Sequence, residues 1–122
     1  MNNPEVTMRG PQPTSSFITL SKAEEAAGIA ISAVLNVPSQ LRSLADQVIR
    51  SASSVPGNLA EGAGRTGKDR SYHWKVAYGS AKEVDSHLRL LLGAGAVDAT
   101  RTKQALALFD EVRAMTWRLL NP

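Results

Sequence analysis

Residues 44–65 read LADQVIRSASSVPGNLAEGAGR, and the fold turns on how this stretch is taken. Leu41, Leu44, Ala45, Val48, Ile49, Ala52, Val55, Leu59, Ala60 and Ala63 recur at helical spacing and fall on one side. Pro56 sits inside that pattern. A proline in a helix interior costs roughly 3 kcal/mol, because it removes an amide donor and its ring meets the carbonyl four residues back. The apolar phase nevertheless passes through Pro56 without a slip. The spacing therefore predicts one proline-kinked helix over this stretch, not two helices and a loop.

The same residues carry a resemblance. Arg50, Ala52, Ser54, Val55, Pro56, Asn58, Leu59, Ala60, Glu61, Gly62 and Arg65 stand where a family pattern, R-x-A-x-S-[IV]-P-x-N-[IL]-A-E-G-x-x-R, places them. The chain thus resembles the four-helix bundle family named for proteins encoded in intervening sequences of bacterial 23S ribosomal RNA genes. The likeness covers about Leu41 to Leu120, and the first helix more loosely. It implies a bundle without a settled biochemical activity. It also implies kinship with an accessory protein of diversity-generating retroelements, a bundle pentamer that binds nucleic acid and works with a reverse transcriptase. This chain departs from the family's aromatic-rich first helix, where it has Ala23, Ala26, Ala27 and Ala30.

Outward from the quoted stretch, the rest reads as helix as well. Residues 1–18, with Pro4, Gly10, Pro11 and Pro13, are expected to form a flexible tail, and residues 19–122 a single bundle domain. Ser21 and Glu24 have the spacing of a capping box, which predicts a first helix from about Lys22 to Leu35. Pro38 and Ser39 punctuate before the second helix, which ends near Ala63. Gly62, Gly64 and Gly67 make the connection, and Thr66 with Asp69 has capping-box spacing for a third helix to about Leu92. Asp98 or Thr100 caps a fourth helix to Leu120, with Ala105, Leu108, Phe109, Val112, Met115, Thr116 and Leu119 as its core stripe. No stretch alternates long enough for a sheet. Four helices with short connections predict an all-α, up-down-up-down antiparallel four-helix bundle.

Composition narrows the function. The 122 residues fit one domain, and a 43% apolar share suffices for a core. Aromatics are few, so Leu, Ala, Val and Ile must fill it, and no aromatic stacking platform for bases is evident. The absence of cysteine excludes disulfides and thiolate chemistry, and it fits a cytoplasmic location. No run approaches the roughly 20 apolar residues of a membrane span, and the N-terminus lacks the apolar core of a signal peptide. The net charge of +3 permits a polyanion partner without establishing one.

Two surfaces of the third helix stand out. Trp74, Ala77, Ala81, Val84, Leu88 and Leu91 form its core stripe. On another face Lys68, Lys75, Lys82 and Arg89 recur every seven residues. Seven residues drift only about 20° around a helix, so these cations line up for roughly 30 Å. Such a row suits a phosphate backbone, of RNA or of DNA, with Arg65 and Arg70 near one end. It equally suits a solvated flank whose long stems cover apolar edges. Tyr72, Val76 and Leu90 lie off the core stripe, which predicts a partner surface, as do Leu106 and Trp117 in the fourth helix unless the core is wide. Ser43, Arg50, Ser54, Gly57 and Glu61 share the face of the second helix opposite its core, where small residues admit another backbone. An oligomer interface of Tyr72, Val76, Leu90, Ser54, Gly57 and Glu61 is therefore expected, and the resemblance suggests a pentamer.

Chemistry-bearing constellations are missing. His73 and His87 stand fourteen residues apart on one helix, about 21 Å, too far to share a metal. Glu83 and His87 at i, i+4 read as a surface pair. The Glu-x-x-His pairs of di-iron bundles, nucleophile elbows and Walker loops do not occur. Gly62, Gly64 and Gly67 before a helix N-terminus could hold an anion with Arg65, Lys68 and Arg70, or simply permit a tight turn. The expectation is a non-enzymatic protein with no cofactor and no metal. It is either a nucleic-acid-binding oligomer, with a reverse transcriptase or another protein as possible partner, or a structural and protein-interaction module.

Overall fold

The computed structural model describes residues 14–122. Most of the expected tail lies outside these residues. Its last part does not behave as expected, because α1 spans Ser15–Ala33 and so takes in residues 15–18. Thr14 is the N-cap. Its backbone is extended and its hydroxyl accepts from the Phe17 amide at 3.1 Å. The Ser21–Glu24 capping box is therefore not formed, and Ser21 is an exposed residue within the helix.

A short 3-10 turn, Ser39–Leu41, leads into α2, Arg42–Ala63. This helix runs without interruption through Pro56, as the unbroken apolar phase requires. Ala45, Val48, Ala52, Val55 and Leu59 are buried as expected. Ala60 and Ala63 are not: both are exposed, and Gly62 turns inward instead. The inward face near the helix end has to fit a tryptophan, and only glycine leaves the room. α3 spans Gly67–Gly93 and α4 Ala99–Leu120. Thr66 occupies the N-cap of α3, but its hydroxyl makes no capping bond, and Asp69 instead binds Arg65. The second expected capping box thus fails because a nearby arginine takes its carboxylate. Gly67 and Gly95 adopt positive φ, 58° and 69°, where the chain turns between helices. Asp98 caps α4, accepting from the Arg101 amide at 2.7 Å, and Thr100 lies within the helix.

Each helix packs on its neighbours in the chain, and α4 returns to α1, while the diagonal pairs barely touch. Contacts run in opposite senses along neighbouring helices. Ser54 meets Ser80 while Asn58 meets His73, so α2 and α3 are antiparallel. The result is the up-down-up-down bundle. Every residue of the expected α3 stripe is buried, as are Ala105, Phe109, Val112 and Thr116 of α4. Leu108, Met115 and Leu119 are half-buried. Leu106, at 7% exposure, joins the core, which is therefore the wider of the two alternatives. α1 buries Thr19 and four alanines, so its backbone can approach α2 and α4 closely.

Candidate nucleic-acid interface and assembly surface

Lys68, Lys75, Lys82 and Arg89 are all exposed along α3. Their electrostatic situations differ. Among the described residues Lys68, Lys75 and Lys82 make no ion pair, whereas Arg89 binds Asp85 at 2.9 Å. The Lys82 ammonium also lies 5.8 Å from the centre of the Tyr78 ring. Asp85 is shared with Arg113 of α4 at 3.5 Å, and Arg113 in turn holds Asp110 at 2.7 Å. The far end of the row thus belongs to a charge network joining α3 to α4. Hydrogen bonding and charge from Asp85 raise the Arg89 pKa above its ordinary value.

The two flanking arginines serve the fold directly. Arg65 contacts Glu61 at 2.7 Å and Asp69 at 2.8 Å, tying the end of α2 to the start of α3. The Arg65 hydrogen bond holds the Glu61 carboxyl below its usual range, and Asp69 with Glu61 pushes the guanidinium higher still. These carboxylates flank the glycine turn and disfavour an anion there. Arg70 donates to the carbonyls of Gly62 at 3.2 Å and Ala63 at 3.4 Å, and lies 5.4 Å above the Trp74 ring. It adds a donor to the Gly62 carbonyl, which the Arg65 amide already reaches at 3.0 Å, and serves the Ala63 carbonyl at the end of α2.

The assembly residues separate into two groups. Tyr72 and Leu90 stand well out, at 61% and 58% exposure. They are eighteen residues, five full turns, apart and so share one phase. Val76 beside them is half-buried, and Gly57 and Glu61 are exposed. Ser54 does not face outward as expected. Its hydroxyl lies 2.8 Å from that of Ser80 and 3.1 Å from the Asn58 amide, which also donates to the Ser54 carbonyl at 3.0 Å. The Asn58 oxygen meets His73 Nδ1 at 3.0 Å. Ser54, Asn58, His73 and Ser80 form a polar seam between α2 and α3, and the sequence motif owes two of its members to this seam.

Sequence reasoning undervalued the aromatics and missed a cleft. Trp117 is 54% exposed in the groove between α3 and α4, with Tyr78, Ala114 and Arg118 around it. An aromatic face is therefore available after all. Phe17, Ile18 and Leu35 are also exposed. Ile18 borders a cleft with Trp74, Met115 and Leu119, flanked by Arg70 and Arg118. The sequence does not show it, because Ser15 and Ile18, on one side, read as tail, and Trp74, Met115 and Leu119, on the other, as core stripes. Glu83 and His87 do not form the expected pair, and the Nδ1 atom of His87 is buried without a partner. Among the described residues no three His, Asp or Glu side chains gather as metal ligands, and no helix is long and apolar enough to cross a membrane.

Comparison with known proteins places this geometry. The model of the family described as 23S rRNA-intervening sequence protein matches residues 16–118. The chain is also similar to the crystal structure of a protein of unknown function from the S23 ribosomal protein family of Bacteroides thetaiotaomicron. The TM-score is 0.80 at 15% identity, over 89% of this chain and all of the other. That likeness extends the fold, including the α1 that the motif does not reach. No curated protein matches the sequence.

Proposed function

Because the chain belongs to the 23S rRNA-intervening sequence protein family, we propose that it acts as a non-enzymatic, self-assembling bundle that holds nucleic-acid backbones along α3. The observation that carries this reading is the row Lys68, Lys75 and Lys82, exposed and without acidic partners among the described residues. Three cations spaced about 10 Å apart suit phosphates better than a folded partner's scattered carboxylates. Arg89, Arg65 and Arg70 stand close by with internal partners, so they help set the field more than they make contacts. The resemblance to the retroelement accessory protein supports a ring of five, with Tyr72 and Leu90 between subunits and a reverse transcriptase as a candidate partner. We assign the assembly to the cytoplasm, in keeping with the cysteine-free sequence.

Binding of generic RNA and DNA across a salt series tests the reading. Wild type binds at low salt and weakens steeply as salt rises. The double variant Lys75→Glu, Lys82→Glu, folded and equally assembled, binds less tightly, with a salt slope lower by about two, one for each lost contact. Sequence preference is slight, since phosphate contacts position a protein without reading bases. Identical curves for both proteins, or no binding by either at low salt, would leave the row a solvated flank. The exposed Tyr72 and Leu90 would then favour a protein-interaction module.

A further inference from the structure

We propose that the groove between α3 and α4 seats an unpaired nucleotide strand, with Trp117 as the platform on which a base stacks. The proposal rests on the nucleic-acid reading above and narrows it from polyanions in general to single strands. Phe109, Val112 and Thr116 of α4 turn into the core, whereas Trp117 turns away and is 54% exposed beside Tyr78 and Ala114. More than half of the residue's surface is left in water by the packing of the monomer.

The cations lie where a strand on that ring would need them. Lys82 reaches over Tyr78, and Lys75 stands three residues before Tyr78, on the same face of α3. Arg118 follows Trp117 directly and lines the groove. Through Lys82 over Tyr78, the basic row reaches the edge of the groove that Trp117 lines. Two carboxylates oppose a polyanion there, and both are neutralised. Asp110 is held by Arg113 at 2.7 Å, and Asp85 by Arg89 at 2.9 Å and Arg113 at 3.5 Å. Lys75, Lys82 and Arg118 remain without acidic partners among the described residues.

Charge alone would serve a duplex as well, and the indole decides between the two. In a duplex each base face is covered by its neighbours. Only an unpaired strand offers a π-face for an aromatic ring to stack on. One stacked base strengthens binding by roughly 5- to 150-fold, largely independently of sequence. The occupant is therefore a single-stranded segment of RNA or DNA.

The test compares the full chain with Trp117→Ala and Trp117→Phe, each checked for native helicity by circular dichroism. The probes are a fluorescein-labelled 15-nucleotide single-stranded RNA, the DNA of the same sequence, and the duplexes made from each. Wild type is expected to prefer the single strands. Trp117→Ala loses about tenfold or more on single strands and little on duplexes, while Trp117→Phe keeps most of the affinity because it keeps a ring. Equal binding of single strands and duplexes, with Trp117→Ala without effect, overturns the stacking platform and leaves the phosphate-binding row intact. A complete lack of binding at low salt overturns both.

Discussion

Gly62 shows how a single residue can be fixed by packing where it has no other duty. A Cβ there would lie 2.6 Å from the Trp74 ring. The ring has nowhere to go, because its Nε1 donates to the Leu59 carbonyl at 3.3 Å and Arg70 covers it from above. Gly62→Ala should therefore destabilise the bundle by about 1–3 kcal/mol. Gly57, five residues earlier in the same helix, would meet nothing within 4 Å if it gained a Cβ. Gly57→Ala should stabilise by about 0.5–1 kcal/mol, the ordinary helix preference for alanine. Thermal unfolding followed by circular dichroism measures both, and shifts of the same sign would contradict the Trp74 contact. The glycine was visible in the motif. Its reason was not, because the tryptophan that demands it lies twelve residues away on the next helix.

At the scale of elements, α2 carries a proline that its hydrogen-bond ladder does not want. Pro56 has no amide for the Ala52 carbonyl. Serines around it turn their hydroxyls back onto the helix, Ser51 to the Gln47 carbonyl at 2.7 Å and Ser53 to that of Ile49 at 2.8 Å. Pro56→Ala restores the missing bond and should stabilise the protein, by up to about 3 kcal/mol. The urea midpoint is the readout, and a fall in stability would mean that the packing of α2 on α3 depends on the ring. That α2 continues through Pro56 was legible from apolar spacing alone. The helix starts were less so. Thr14 caps α1 from within a stretch rich in proline and glycine that reads as tail. Asp69, at the spacing of a capping residue, is claimed by Arg65. Local spacing proposes a cap, and a side chain elsewhere decides whether it forms.

For the whole molecule, the apolar residues left outside the core are where the proposed assembly is tested. Tyr72 and Leu90 should lie between subunits, so light scattering at micromolar concentration should give a multiple of the 13.0 kDa chain, five by the family likeness. Tyr72→Lys with Leu90→Lys should return the protein to monomers with unchanged helicity, because both side chains are outside the bundle core. A wild-type monomer would refute the proposal. The core of the bundle was largely readable, since buried positions repeat at helical spacing and the α3 stripe was complete. The surfaces were readable only as candidates. Periodicity shows that Lys75 and Arg89 share a face, but not that Asp85 holds Arg89 while Lys75 has no acidic partner among the described residues.

The return of α4 onto α1 has a consequence for how the protein is made. Contacts between α1 and α2, and between α2 and α3, can form as soon as each helix leaves the ribosome. The alanine face of α1 gains its second neighbour only when Ala99–Leu120, the fourth helix, has emerged. Until then every partly synthesised chain carries an open seam along α1, and the bundle closes only once α4 has been made.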